Sequence, residues 1–118
     1  MKIFVIGENK TEKINRSQLK DIAAEFGSFV KAVVDVEKCV MAIGGELHSD
    51  EEGSLLEKGS QQRHLWGVNL YPELQGDDFI EFDSMINLRP AHGNRTRGVD
   101  DAQIREKIRE IISNLISS

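Results

Sequence analysis

Two stretches of this 118-residue chain carry side chains that could do chemistry at close spacing. The first is Glu46-Leu47-His48-Ser49-Asp50-Glu51-Glu52, one imidazole and four carboxylates within seven residues. Imidazole and carboxylate oxygens are donors that a divalent cation accepts, and the same groups can move a proton. Glu46, His48 and Asp50 are therefore the metal-ligand candidates, with a divalent metal as the cofactor they would take; the competing reading of the same residues is an acidic, solvated loop. The spacing matches no specific metal motif: there is no His-Glu-x-x-His, no cysteine pair and no calcium-loop glycine at its required offset.

The second stretch runs from Phe79 to Gly98. Glu81 and Asp83 lie two apart, on one side of an extended chain, and with Glu46 and His48 they form the acid–base candidates. Beyond Pro90 the stretch is turn-rich and cationic, with Asn94, Arg95 and Arg97 just before a helix start whose free amides favour negative charge. Arg95 and Arg97 would either meet an anionic ligand or pair internally with Glu46, Asp50, Glu81 or Asp83. No P-loop, Rossmann glycine pattern, nucleophile elbow or serine triad signature is present.

The elements that must position these groups follow from periodicity. Ile3 to Ile6 reads as a strand. Asn15 opens a helix with Gln18 completing a capping box, Leu19, Ile22, Ala23 and Phe26 form its apolar stripe, and Gly27 stops it. Phe29 to Val36 and Cys39 to Gly44 read as strands joined by a tight turn at Glu37-Lys38, with Cys39 a buried thiol. Glu46 to Gln62 reads as a long irregular loop, and such loops are often functional. His64 to Tyr71 alternates, with Trp66, Val68 and Leu70 on one face and Gly67, Asn69 and Tyr71 on the other. Phe79 to Arg89 alternates again, presenting Glu81, Asp83, Met85, Asn87 and Arg89 together. Asp100 caps a last helix whose stripe is Ile104, Ile108, Ile111, Ile112, Leu115 and Ile116.

The expected order is β-α-β-β-β-β-α over a single domain, residues 1–118. Four successive strands with short links favour a meander. The fold class is α+β, a two-layer sandwich of a mostly antiparallel sheet of about five strands with two helices on one face. The other face would then carry Asn69, Tyr71, Glu81, Asp83, Asn87 and Arg89. Such a face is ordinarily just a solvated sheet surface with cross-strand Glu/Arg pairs; the alternative is a polar pocket marked by Asn69 and Asn87, since asparagine is a poor strand former and its amide offers donor and acceptor together.

Composition narrows the function classes. A hydrophobic content of 39% spread along the chain indicates a folded globule. The net charge of −5 argues against a broad nucleic-acid surface. No apolar run approaches a membrane span, no secretory leader is recognisable, and the single cysteine forms no internal bridge, so a cytoplasmic setting is expected.

The strings Val33-Val34-Asp35-Val36-Glu37, Gly44-Gly45-Glu46-Leu47-His48-Ser49-Asp50-Glu51-Glu52, Leu65-Trp66-Gly67-Val68-Asn69-Leu70-Tyr71-Pro72, Glu81-Phe82-Asp83-Ser84-Met85-Ile86-Asn87-Leu88-Arg89-Pro90 and Gly93-Asn94-Arg95 are distinctive. With them the chain resembles, over nearly its full length, a family of small bacterial and archaeal proteins catalogued as a domain of unknown function. The resemblance implies a stand-alone single-domain protein and carries over no activity.

The functional expectation is a small-ligand or catalytic pocket on the open sheet face for an anionic small molecule, with Asn69, Tyr71, Asn87, Arg89, Asn94, Arg95 and Arg97 as binding residues. A non-enzymatic interaction module or homo-oligomer, pairing through the polar face or an edge strand, is the alternative. RNA binding through Arg89, Arg95 and Arg97 is the weakest of the three.

Overall fold

Asn15 begins the first helix in the way its spacing to Gln18 predicts. In the computed structural model, which describes residues 2–9 and 11–117, the Asn15 side chain accepts from the Gln18 amide at 2.8 Å and Gln18 returns the bond to the Asn15 amide at 2.9 Å. Before it come strand β1, Phe4–Ile6, and the two-residue strand β2, Ile14–Asn15; Lys10, inside the expected connection, lies outside the described residues. Helix α1, Arg16–Ala24, buries Leu19 and Ala23.

Strands β3, Val30–Asp35, and β4, Val40–Ile43, form a hairpin. Its turn is longer than two residues. The Asp35 carboxylate accepts from the amides of Glu37 and Lys38, each at 2.9 Å, and the Cys39 amide reaches the Asp35 carbonyl. Cys39 sits in the left-handed region at φ 59 and is exposed, so its thiol lies in solvent, not in the core.

Three further elements complete the sheet and its covers. Helix α2 spans His48–Glu57, β5 spans Leu65–Leu70 and β6 spans Ile80–Glu81. Helix α3, Ala102–Leu115, leads into β7, Ile116–Ser117, which pairs in parallel with β2. The main sheet has the order β1-β4-β3-β5-β6 with every neighbouring pair antiparallel. The fold is thus α+β on a five-stranded antiparallel sheet, as expected, but the strands do not form the expected meander, because β3 lies between β4 and β5.

Strand alternation sends Val30, Ala32, Val34, Trp66, Val68 and Leu70 to one face, where they pack with Leu19 and Ala23 of α1 and Ile108, Ile111, Ile112 and Leu115 of α3. The second face is not fully open. Val33, Val40, Ala42 and Leu65 are buried there with Leu55 of α2. This third helix replaces the expected irregular loop. Its inward stripe holds Glu51 and Leu55, one turn apart, and a carboxyl in an apolar position erases the periodic signal.

The strand expected from Phe79 to Arg89 ends at Glu81. Ser84 accepts from the Ile86 amide at 3.2 Å and starts a 3-10 turn, Met85–Asn87. A second 3-10 turn, Pro90–His92, follows and closes at Gly93 with φ 86. Ser84 and Asn87 offer the backbone partners that compete with a sheet ladder. At the last helix Asp101, not Asp100, is the cap, accepting from the Gln103 amide at 2.8 Å; Asp100 turns back to the Arg95 amide and the Thr96 hydroxyl. No helix among the described residues is long and apolar enough to cross a membrane.

Candidate functional site

Register sets one row of side chains on the second face. Lys31 of β3 is opposite Asn69 of β5, and Asn69 is opposite Glu81 of β6. These three lie in the wall of a cavity of about 400 Å³, with the first turn of α2, the 84–86 segment and Arg97 around them.

Asn69 is the centre of the row and is 7% exposed. Its Nδ2 donates to Glu81 Oε1 at 2.8 Å and to the Asp83 carbonyl at 3.3 Å. Both partners can only accept, which fixes the amide orientation and leaves Asn69 Oδ1 without a partner. Tyr71 donates its hydroxyl to the same Glu81 Oε1 at 3.0 Å and stacks on Phe29, with ring centroids 5.6 Å apart. Burial, and then the Glu81 carboxylate beside it, push the Tyr71 phenol up, so it stays a donor.

His48 opens α2. Its Nε2 lies 2.8 Å from the Val68 carbonyl oxygen, which can only accept, so that nitrogen carries the proton and Nδ1 the lone pair. Burial lowers the His48 pKa, keeping the ring neutral near neutral pH. Gly67 makes room for it: a Cβ there would stand 3.2 Å from His48 Cδ2 and 2.6 Å from Ser84 Cβ and Oγ.

Asp83 and Arg97 pair at 2.7 Å, with side chains 43% and 54% exposed. So exposed a pair does more to position the loop than to stabilise the fold. The loop is also tied by its backbone, since the Arg97 carbonyl accepts from the Ser84 amide and from Asn87 Nδ2, both at 2.9 Å.

Six residues singled out in the sequence thus gather at the cavity: His48, Asn69, Tyr71, Glu81, Asp83 and Arg97. Others do not. Glu46 gives its carbonyl to Lys31 Nζ at 2.8 Å, with its carboxyl outside the lining. Asp50 is not part of the lining either, and among the described residues no group of three or more His, Cys, Asp or Glu could hold a metal ion. Asn87 is buried with its amide spent on the backbone of Gly67 and Arg97. Asn94 is buried too, its Nδ2 given to the carbonyls of Asn87, Thr96 and Gly98. Arg89 lies over the Trp66 ring at 4.2 Å and donates to the carbonyls of Gln62 and Leu65 at 2.7 and 2.6 Å. Arg95 is exposed and is held through its backbone amide by Asp100. Met85, expected on the same strand face, lines the cavity at its edge and is 62% exposed.

Sequence reasoning passed over Lys31, Phe29 and Ser49. Lys31 had a signal: it is the one charge between Phe29 and Val34, in phase with Val33 on the second face.

A family model described as a protein of unknown function (DUF5674) matches residues 9–115. No curated protein and no solved structure matches the chain.

Proposed function

We propose a function for this chain, which belongs to the DUF5674 family: it binds a small polar molecule carrying an anionic group in the cavity beside β5. The observation that carries this reading is convergence. Polar side chains from five separate segments, including Lys31, His48, Asn69, Glu81 and Arg97, meet at one cavity of about 400 Å³. That size lies in the range typical of small-molecule sites, and a few convergent polar groups are what such sites use for orientation.

Lys31 supplies positive charge at the wall, while Arg97 is paired there with Asp83. Helix α2 starts there without a side-chain cap, its first turn carrying Asp50 and Glu51. The neutral His48, with its Nδ1 lone pair, is the group that would take a proton from a bound molecule. The cytoplasm is the setting this reading assumes, in keeping with a lone unbridged cysteine.

The test is an amide NMR titration of the full chain with small carboxylates and phosphate esters. Saturable shifts grouped at Lys31, His48, Asn69, Glu81 and Arg97 are expected, and they should be lost in His48→Ala. Shifts that avoid those residues would sink the reading.

A further inference from the structure

The row across β3, β5 and β6 places a cation, an amide and an anion side by side: Lys31, Asn69 and Glu81. Neighbouring strands run about 4.8 Å apart, so the outer two residues are about 10 Å apart at the backbone. Lys31 and Glu81 are each engaged by neutral partners. Lys31 Nζ donates to the Glu46 carbonyl, and among the described residues Glu81 accepts only from Asn69 and Tyr71. None of the four ion pairs among the described residues includes either one. Asp83 and Arg97, on the same cavity, neutralise each other.

The cavity therefore holds one uncompensated positive charge and one uncompensated negative charge, on opposite sides of Asn69. A simple anion drawn to Lys31 meets repulsion from Glu81, and a simple cation meets the converse. Asn69 itself lies between the two charges in the row, and its Oδ1 is buried with no donor among the described residues. On the α2 side, His48 presents a second acceptor at Nδ1.

We propose that the ligand is a small zwitterion, whose anionic group meets Lys31 and whose ammonium or similar N–H-rich cation meets the Glu81 carboxylate. This deepens the proposed function and rests on the same cavity being the binding site. An amino acid, or an ω-amino acid with its two charges a few bonds further apart, has this chemistry.

The experiment is a calorimetric and NMR titration of the full chain with three matched probe sets: ω-amino acids of increasing length from glycine upwards, carboxylates of the same lengths, and amines of the same lengths. At least one amino acid is expected to bind about tenfold or more tighter than its matched carboxylate and amine. Glu81→Gln should bring the amino acid down to the carboxylate's level while leaving the carboxylate's affinity nearly unchanged. Should that variant fail to fold, Lys31→Met should bring the amino acid down to the amine's level. Carboxylates that bind as tightly as amino acids, with no effect of Glu81→Gln, would overturn the zwitterion and leave an anion site standing. If no probe of any set perturbs the cavity residues, the zwitterion falls, and the proposed function falls with it when phosphate esters leave those residues unperturbed too.

Discussion

Asn87 and Gly67 are joined through both polar atoms of one side-chain amide: Asn87 Oδ1 accepts from the Gly67 amide at 2.9 Å, and Nδ2 donates to the Gly67 carbonyl at 2.9 Å. The side chain stands in for a neighbouring strand just where β6 has ended. It also fixes the distance at which the 84–87 segment lies over β5, and so the shape of the cavity beside it.

Asn87→Ala is therefore expected to cost about 3 kcal/mol, because it leaves the Gly67 backbone groups unpaired in a buried place. Urea unfolding should show a lower midpoint with an unchanged slope. A loss below about 1 kcal/mol would mean that water replaces the amide easily.

Gly67→Ala tests packing at the same point from the strand side. Its Cβ would lie 2.6 Å from Ser84 Cβ and Oγ, so the segment or the strand must shift. The expected cost is about 1–3 kcal/mol. The ring signals of His48 should move as well, since the new methyl lies 3.2 Å from its Cδ2. An unperturbed His48 spectrum would contradict the close approach described here.

His48 should titrate below its ordinary value of 6.5, with burial as the main cause. A depressed folded value means that the unfolded chain takes up the proton more readily. The stability this group contributes is present above pH 6.5 and is lost as pH falls below that toward the folded value. Long-range proton–nitrogen spectra should show Nε2 protonated and Nδ1 bare; the opposite tautomer would rule out the bond to the Val68 carbonyl.

Glu51 gives the reverse slope. It is fully buried under α2, one oxygen accepting from the Gly45 amide at 2.9 Å, and burial pushes its pKa from 4.5 to about 9. The raised value makes its contribution complete below pH 4.5 and progressively lost as pH rises to about 9, by up to about 1.4 kcal/mol per pH unit. Glu51→Gln should flatten that loss and be the more stable form at alkaline pH. Parallel stability–pH curves for the two proteins would show that Glu51 ionises freely.

Local signals account for the parts of this architecture that periodicity reveals. The Asn15–Gln18 cap, the α1 and α3 stripes and the β5 alternation are short-range patterns, and each needs only its own segment to be read. Helix α2 escaped because Glu51 occupies an inward position that an apolar residue would have marked. The poor strand propensity of asparagine pointed to Asn69 and Asn87 alike, yet the causes differ: Asn69 stands in the cavity wall, and Asn87 replaces a missing strand. Which acid meets Arg97 was beyond any local pattern, since Asp83 is fourteen residues away and the choice is made by the loop closing over β5. Cys39 was misplaced for a related reason. Its apolar neighbours belong to β4, while Cys39 itself completes the turn that the Asp35 side chain organises.

Trp66 is the chain's single tryptophan, and it lies on β5 with the Arg89 guanidinium 4.2 Å from its ring, one residue before Gly67. Its indole is thus a lone fluorophore mounted on the strand that carries the cavity's central amide. Emission from this protein reports on one address, with no label and no second chromophore of its kind to deconvolute. Any event that loosens that strand's edge should change the colour or intensity of that light.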